Sequence, residues 1–170
     1  MAEALSQSVP AKIEPLAKNH DRRAFSCGVE ALDLYLRRFA RQHADANISR
    51  TYVAASSSTV HGFYSLAMSG IRRENLPEKN LNHFPNFPLP VARLARLAVD
   101  LNHQRQRLGE LLLADALQRC LHISESIGML GVIVDAKDEQ ARGWYERYEF
   151  ERLPDSPLTL WLPVAAIPRK

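Results

Sequence analysis

The stretch ARLAVDLNHQRQRLGELLLADALQR, from Ala95 to Arg119, decides the fold of this chain. It has the pattern of a strand that ends in a charged loop, which then becomes a helix. The loop contains Arg105 and Arg107 at places where a phosphate-binding loop usually contains glycine. The stretch therefore predicts a β-α unit with a basic loop that binds an anion.

The segments that follow predict a second strand parallel to the first. The helix is expected from Leu108 to Ile127. Its apolar stripe consists of Leu113, Ala116, Leu117, Cys120 and Leu121. The segment LGVIVDA has an apolar run at 132–134, which is typical of a strand buried on both faces in a parallel pair. Asp138 is placed to cap a short helix through Arg147, and TLWLPV predicts a last strand.

The segments that precede the stretch predict an antiparallel half. GVEALDLYLRRFARQHA is expected to form one amphipathic helix with its arginines and Gln42 on the polar side. Its apolar side chains, at i, i+3, i+4 and i+7, are Leu32, Tyr35, Leu36 and Phe39. SRTYVAA and VHGFYSLAMSG, separated by SSST, predict a hairpin. The prolines between Glu74 and Pro90 predict a surface loop.

These elements predict an α/β fold with a mixed sheet, in which an antiparallel N-terminal half joins a β-α-β-α-β C-terminal half with parallel central strands. At 170 residues and 46% hydrophobic content, one domain over residues 1–170 is expected.

The apolar run from Leu158 is too short to span a membrane, and the N-terminus lacks the apolar core of a signal peptide, so a cytoplasmic protein is expected. The two cysteines and six histidines show no metal-ligand spacing, so no metal site is expected.

Positive charge is concentrated in the N-terminal part. Residues 1–73 contain 10 Lys and Arg against 6 Asp and Glu, whereas residues 74–170 contain 12 against 13. The arginines of the first part are Arg22, Arg23, Arg37, Arg38, Arg41, Arg50, Arg72 and Arg73. Arginine suits forked contacts to phosphate, so this face indicates either a polyanion such as nucleic acid or an ordinary solvated surface.

The loop from Asp100 to Gly109 is the predicted anion site. Ligands of a parallel β-α unit gather where the strand ends and the next helix presents unpaired N–H groups. The two arginines of the loop favour a phosphate or pyrophosphate, although they could also point to water. A Walker loop is excluded because no Gly-Lys-Ser/Thr follows, and a Rossmann fingerprint fits poorly because Gly109 is the only glycine.

The segment RLAVDLNHQRQRLGELLLADAL resembles the acetyl-CoA-binding motif of the GNAT N-acetyltransferases, Q/R-x-x-G-x-G/A, with Gln104 first and Gly109 last. The resemblance implies that backbone N–H groups of the loop hold the CoA pyrophosphate, while the strand lines the pantetheine and the thioester. The cofactor-binding residues it implies are Leu97, Ala98, Val99, Gln104, Arg105, Gln106, Arg107, Leu108, Gly109 and Glu110.

VDAKDEQARGWYERYEF resembles the later motif of the same family, A-x-x-F-Y-x-x-x-G-F, with Tyr145 at the tyrosine position. The resemblance implies that Tyr145 is the catalytic acid, because a tyrosine hydroxyl can protonate the departing CoA thiolate. Tyr145 also shares one helical face with Ala141 and Tyr148, and such aromatic stripes more often belong to the core than to a catalytic site. The chain departs from the two motifs at Arg107, Gly143 and Glu149. An arginine at position 107 is strained if its backbone needs a positive φ, and is tolerated if the backbone stays right-handed.

The segments FSCGVEALDLYLRRFARQHADANISRTYV, GFYSLA and ARLAVD together resemble the GNAT toxins of bacterial toxin-antitoxin modules. This resemblance implies that the chain acetylates the amino group of aminoacyl-tRNA and stops translation. It also implies a ribbon-helix-helix antitoxin as partner and a homodimer. The candidate tRNA-binding residues are Arg37, Arg38, Arg41, Arg50 and Arg96. For Arg96, a strand residue, the sequence allows either the core edge or the active-site cleft, and the resemblance favours the cleft.

The pKa of the acceptor also favours this substrate. A lysine amine with a pKa of ~10.4 needs a base at neutral pH, whereas an α-amino group at ~7.7–8.0 is already partly neutral. The strand LARLAV offers no Asp or Glu, and only Asp100 follows it. Two alternatives stay open: a GNAT enzyme for a small amine or a protein N-terminus, and a non-catalytic binding module. Cys27 is expected to be a turn residue and His103 a loop residue.

Overall fold

The computed structural model describes residues 12–77 and 84–169. Within these ranges seven strands form one mixed sheet in the order β1-β2-β3-β4-β5-β7-β6. The strands are β1 (Lys12–Pro15), β2 (Arg50–Ser56), β3 (Thr59–Ile71), β4 (Leu89–Val99), β5 (Gly131–Asp135), β6 (Glu151–Leu153) and β7 (Ser156–Pro163). The α-helices are α1 (Glu30–Leu34), α2 (Ala40–Asp45), α3 (Leu108–Ser124) and α4 (Glu139–Glu146).

The N-terminal strands are antiparallel, as predicted. β2 and β3 form the expected hairpin, with Arg50 opposite Leu66 and Ser56 opposite Thr59. β1 was not predicted, because its four residues KIEP are too few to show an alternating pattern. It pairs with β2 and extends this half of the sheet outward.

The predicted helix of residues 28–44 is interrupted by a π-helical turn, Tyr35–Phe39, between α1 and α2. A π turn accommodates an extra residue, so the side chains after it are rotated around the helix axis. Leu36 and Ala40 are fully buried, whereas Phe39 is 40% exposed. The prediction that Phe39 lies on the buried stripe is therefore wrong, because i, i+7 spacing assumes an uninterrupted α-helix.

The C-terminal strands confirm the predicted parallel pair. β4 and β5 are parallel from Ala92 opposite Val132 to Leu94 opposite Val134. β7 then lies antiparallel to β5, and the unpredicted β6 pairs with β7. β6 has only three residues, too few for a sequence pattern.

Two boundaries of the β4-α3 unit differ from those predicted. β4 begins at Leu89, two residues earlier than expected, and α3 ends at Ser124 rather than Ile127. Residues 78–83 of the predicted loop 74–90 lie outside the described residues. So do residues 1–11, where no signal peptide was expected. The apolar stripe of α3 is confirmed, since all five of its predicted residues are buried. No helix within the described ranges is long and apolar enough to cross a membrane.

The described residues divide into two compact units. The first contains residues up to Leu66 together with Arg96–Ala116, and the second contains Ala67–Ala95 together with the residues from Leu117 onward. The core of the first unit includes Phe25, Tyr35, Leu36, Val53, Phe63 and Ala98. The core of the second includes Ile71, Leu76, Val91, Ile133 and Trp161.

Candidate active site

The end of β4 carries the residues expected to line the thioester, namely Leu97, Ala98 and Val99. Ala98 is buried in the first core, and its two neighbours are half-buried. The last pair between β4 and β5 is Leu94 with Val134, so five residues of β4 extend beyond the ladder on that side. Backbone N–H and C=O groups along such a free strand edge can bind an extended ligand.

Two side chains hold the loop that follows β4. Gln104 folds back, and its Nε2 donates to the carbonyls of Val99 at 3.0 Å and Cys27 at 3.3 Å. Asp100 is buried and accepts from the backbone N–H groups of Ser26 at 3.0 Å and Asn102 at 2.9 Å. Gln104 therefore contributes to the loop mainly by fixing its shape, and Asp100 is committed to backbone N–H groups.

The loop then enters α3 through an unusual backbone. Arg105 has φ of 65° and Arg107 has φ of 64°, both in the left-handed region, and the helix begins at Leu108. Left-handed residues in a loop allow neighbouring backbone N–H groups to face one anion. The unpaired N–H groups of the first helical turn add to it. Of the two alternatives for position 107, the structure has the positive φ.

Both loop arginines are exposed. The Arg107 side chain is 87% exposed, and its Nε lies 3.9 Å from a carboxylate oxygen of Glu110, one turn further along. Such a surface ion pair is weak in water and exchanges readily for another anion. The loop thus combines the unpaired backbone N–H groups of a helix N-terminus with two exposed guanidinium groups, an arrangement suited to a pyrophosphate.

His103 has more contacts than a loop residue would need. Its ring stacks on that of His61 with centroids 3.9 Å apart, and its Nδ1 is buried without a hydrogen-bond partner in the described part of the chain. Burial, together with the charge of His103, lowers the pKa of His61. The Ser56 hydroxyl is hydrogen-bonded to His61 Nε2. No sequence signal pointed to this contact, because the two histidines are 42 positions apart.

The predicted tRNA-binding arginines differ in what already engages them. Arg37 donates to the carbonyl of Phe25 at 2.8 Å, and Arg50 donates to the carbonyl of Ala44 at 3.0 Å. These two arginines therefore also hold the fold together. Arg38 is exposed and Arg41 is half-buried.

An open groove in the first unit adds further positive charge. It is lined by Asn19, His20, Asp21, Arg22, Arg23 and Arg37. Arg22 donates to the carbonyl of Leu36 at 2.9 Å, and burial together with the charge of Arg41 lowers its pKa. The charge asymmetry of the sequence thus corresponds to a physical cluster of guanidinium groups.

Arg96 lies over an aromatic ring. Its Cζ is 3.6 Å from the centroid of the Tyr35 ring, and the side chain is half-buried. This places Arg96 at the edge of the first core, with the residue partly exposed.

Tyr145 belongs to the second unit, on α4. Asp138 caps this helix as predicted, with its Oδ1 accepting from the N–H of Ala141 at 2.8 Å. Tyr145 is 8% exposed and packs edge-on against Trp144 and Phe150, with centroids 5.0 and 5.6 Å apart. Burial raises the pKa of Tyr145 above its usual value near 10. The hydroxyl therefore keeps its proton at neutral and mildly alkaline pH, as a general acid must.

The other two motif departures have different consequences. Glu149 has φ of 73°, so a side chain again occupies a backbone conformation that favours glycine. Gly143 lies inside α4, and nothing is within 4 Å of the place where its Cβ would be. A side chain there would meet no steric obstacle.

Neither cysteine has the character of a nucleophile. Burial, followed by the hydrogen bond to Asp33, raises the pKa of the Cys27 thiol to about 11. Burial raises the pKa of Cys120 to about 12. Across residues 12–77 and 84–169, no group of three His, Cys, Asp or Glu side chains could hold a metal ion.

Comparison with known sequences places most of the chain among acetyltransferases. The family model of the acetyltransferase (GNAT) domain matches residues 47–152. A tRNA-acetylating toxin of Mycobacterium tuberculosis (strain ATCC 25618 / H37Rv) is 38% identical over 142 residues, covering 84% of this chain and 85% of that protein. A probable toxin TacT of Sinorhizobium fredii (strain NBRC 101917 / NGR234) is 33% identical over 166 residues, covering 91% and 92%.

Solved structures with the same fold include toxins in several complexes. AtaT complexed with acetyl-methionyl-tRNAfMet has a TM-score of 0.86 at 30% identity, covering 92% of this chain and 96% of that one. AtaTR bound with AcCoA has a TM-score of 0.80 at 29% identity, covering 92% and 95%. A variant of AtaT bound to the C-terminus of the antitoxin AtaR has a TM-score of 0.79 at 28% identity, covering 92% and 93%.

Proposed function

Because the chain belongs to the GNAT acetyltransferase family, we propose that it transfers the acetyl group of acetyl-CoA to the α-amino group of an aminoacyl-tRNA. The product cannot serve as an acceptor for peptide-bond formation on that amine, so the protein acts as a translation-blocking toxin. The relatives named as tRNA-acetylating toxins and the structure of AtaT with acetyl-methionyl-tRNAfMet support this acceptor.

The observation that carries the proposal is the backbone of the loop between β4 and α3. Two residues with positive φ, Arg105 and Arg107, curve the loop around the N-terminus of the helix. The backbone N–H groups of residues 105–110 then bind the CoA pyrophosphate, with guanidinium groups beside it. Gln104 maintains the loop geometry through its two carbonyl contacts. Residues 97–99 of β4 line the pantetheine and the thioester.

The reaction needs a nucleophile and an acid. The neutral α-amine attacks the thioester carbonyl, the C–N bond forms, and the C–S bond breaks with departure of the CoA thiolate. Tyr145 donates its hydroxyl proton to that thiolate, and the proton released by the amine restores the hydroxyl through solvent. A raised pKa keeps Tyr145 protonated before each turnover. The CoA thiol that forms has a pKa of ~8.5, so it keeps the proton when the pH is below ~8.5.

The acceptor needs no protein base. An α-amino group with a pKa of ~7.7–8.0 is substantially neutral at cellular pH. Asp100, the carboxylate that follows the strand in sequence, already accepts two backbone N–H groups. A carboxylate committed in this way is a poor base, so the site suits an α-amine better than a lysine side chain.

Binding of the tRNA is assigned to the arginine-rich face. Phosphate contacts along the first unit come from Arg37, Arg38, Arg41, Arg50 and Arg96, and the groove near Arg22 extends the same positive surface.

Residues 1–170 act as one acetyltransferase domain in the cytoplasm, where charged tRNA is found. The partner that silences the toxin is a ribbon-helix-helix antitoxin, and the active form is a homodimer. The structure of AtaT with the C-terminus of AtaR supports an antitoxin partner.

Two measurements on the purified protein test the proposal. Calorimetric titration with acetyl-CoA is expected to give one saturable binding site, and the absence of binding would indicate a non-catalytic module. Radiolabelled acetyl-CoA is then offered with charged tRNA, deacylated tRNA, free amino acids, small amines and peptides. We expect label on charged tRNA only. Label on small amines or peptide N-termini, with none on charged tRNA, would contradict the proposal.

A further inference from the structure

Tyr35 is held rigidly by three side chains of the first unit. Its hydroxyl shares a hydrogen bond with the hydroxyl of Ser49 at 2.8 Å, and both residues are buried. Its ring stacks on Phe63 with centroids 6.4 Å apart and meets the ring of His43 edge-on at 5.3 Å. The ring therefore presents one fixed orientation to whatever lies over it.

The guanidinium of Arg96 lies over this ring, with its Cζ 3.6 Å from the centroid. Stacking uses the face of the guanidinium and leaves its N–H groups, which point outward in the plane, free to donate. In the described part of the chain no hydrogen bond or ion pair engages Arg96. In contrast, Arg37 and Arg50 already donate to backbone carbonyls. Arg96 is thus a fixed cation whose donors are unused.

We propose that Tyr35 is a positioning residue that holds Arg96 in the orientation needed to bind a phosphate of the acceptor strand of tRNA. This inference rests on the proposed function. On β4, Arg96 lies one residue before the segment 97–99 that is assigned to the thioester, and its side chain shares a face of the strand with that of Ala98. A phosphate held there belongs to the nucleotides next to the aminoacyl ester. A flat, forked guanidinium matches the two oxygens of a phosphate, and the Tyr35 ring removes the rotational freedom that binding would otherwise cost.

A positioning role differs from a purely structural role in one measurable respect. If Tyr35 acts through Arg96, the loss caused by removing the ring disappears once the guanidinium is gone. If Tyr35 only fills the core, the two losses add. A double-mutant cycle on the affinity for charged tRNA separates the two cases.

The cycle uses Tyr35→Leu, Arg96→Gln and the double variant, each measured for the affinity for charged tRNA. Tyr35→Leu should weaken that affinity by about 3- to 30-fold, the range of a partly desolvated cation–π contact. In the Arg96→Gln background the same change should cost less than about 2-fold, whereas losses that simply multiply would overturn the proposal. Arg96→Gln should also lower the slope of log affinity against log salt by about 0.7, the value for one contact to single-stranded nucleic acid.

Three controls decide the remaining questions. Tyr35→Phe keeps the ring and loses only the hydrogen bond to Ser49, so it should bind charged tRNA as the wild type does. Phe25→Leu changes another buried aromatic of the same core, and it should lower the melting temperature without weakening tRNA binding. The affinity for acetyl-CoA should be unchanged in every variant. If acetyl-CoA binding falls instead, the phosphate at Arg96 belongs to acetyl-CoA and the proposal is wrong.

A folding defect in Tyr35→Leu would not remove the test. Arg96→Lys keeps the charge and loses the planar stacking, so it should weaken tRNA binding nearly as much as Arg96→Gln. An Arg96→Lys variant with wild-type affinity would overturn the proposal. Failure of the wild type itself to bind charged tRNA would overturn the proposed function, which is a separate and recognisable result.

Discussion

Arg107 and Glu149 both hold a side chain in left-handed backbone, at positions where the matching motifs have glycine. The sequence identified both departures, but it could not predict the sign of φ, which depends on how the neighbouring residues close the loop. Left-handed geometry costs an L-residue roughly 1–2 kcal/mol. Glycine removes this strain, but it also raises the conformational entropy of the unfolded chain, which offsets part of the gain in stability.

Glu149→Gly and Arg107→Gly should therefore each raise the free energy of unfolding, by up to about 1 kcal/mol. Denaturant unfolding of the two variants checks this. Calorimetry should separate them, because Arg107→Gly also removes a cation from the anion loop and should weaken acetyl-CoA binding, whereas Glu149→Gly should not. Tighter acetyl-CoA binding by Arg107→Gly would show that Arg107 hinders the ligand.

Tyr145 was identified from a motif. Its spacing could not show a catalytic role, since a tyrosine that only packs in the core has the same pattern. Tyr145→Phe keeps the ring packing against Trp144 and Phe150 and removes only the hydroxyl. Melting temperature and acetyl-CoA affinity should stay close to wild type, and the single-turnover rate should fall by roughly 10²–10⁴. Tyr148→Phe, in the turn that follows α4, is the control and should retain the rate. A stable Tyr145→Phe variant with the wild-type rate would remove Tyr145 from the mechanism.

The raised pKa of Tyr145 makes a prediction about pH. The rate should rise as the acceptor α-amine loses its proton near pH ~8 and then stay level, because the acid remains protonated beyond the usual tyrosine pKa of ~10. Single-turnover rates between neutral pH and pH ~9.5 measure this profile. A bell-shaped profile with a decline in that range would mean that the catalytic acid has a lower pKa than buried Tyr145.

The helix that carries the basic face shows how an element can depart from its sequence pattern. Counting at 3.6 residues per turn placed Tyr35 and Leu36 correctly, because they come at the start of the π turn, and misplaced Phe39, which comes at its end. The turn also brings Arg37 to the carbonyl of Phe25. No side-chain pattern identifies a π turn, since its cause lies in the backbone hydrogen bonds.

The arginines of this helix should therefore behave differently when replaced. Arg38→Gln should lower the salt slope of tRNA binding by about 0.7–0.9 and leave stability unchanged, because Arg38 is exposed. Arg37→Gln should lower the slope and also cost about 1 kcal/mol of unfolding free energy through the lost bond to Phe25. Binding measured between low and moderate salt, with thermal unfolding alongside, checks both. An unchanged slope in Arg38→Gln would mean that this position is only solvated.

For the molecule as a whole, the long patterned segments were predictable and the short ones were not. The β4-α3-β5 unit has strong periodicity, and its parallel pairing and buried helix stripe are confirmed. β1 and β6, with four and three residues, owe their pairing to neighbouring strands rather than to their own residues. Contacts between distant positions, such as Arg96 with Tyr35 and His61 with His103, are products of the fold and leave no trace in a single sequence.

Acetyl transfer to the α-amine of charged tRNA is the central claim, and the chemical identity of the product tests it most directly. Charged tRNA is incubated with the wild-type protein and acetyl-CoA, digested with nuclease, and the terminal aminoacyl-adenosine is analysed by mass spectrometry. The predicted species carries one acetyl group on the α-nitrogen of the amino acid, and Tyr145→Phe should yield little of it. An aminoacyl-adenosine that stays unmodified while acetyl-CoA is consumed, or an acetyl group on the nucleotide instead, would contradict the account.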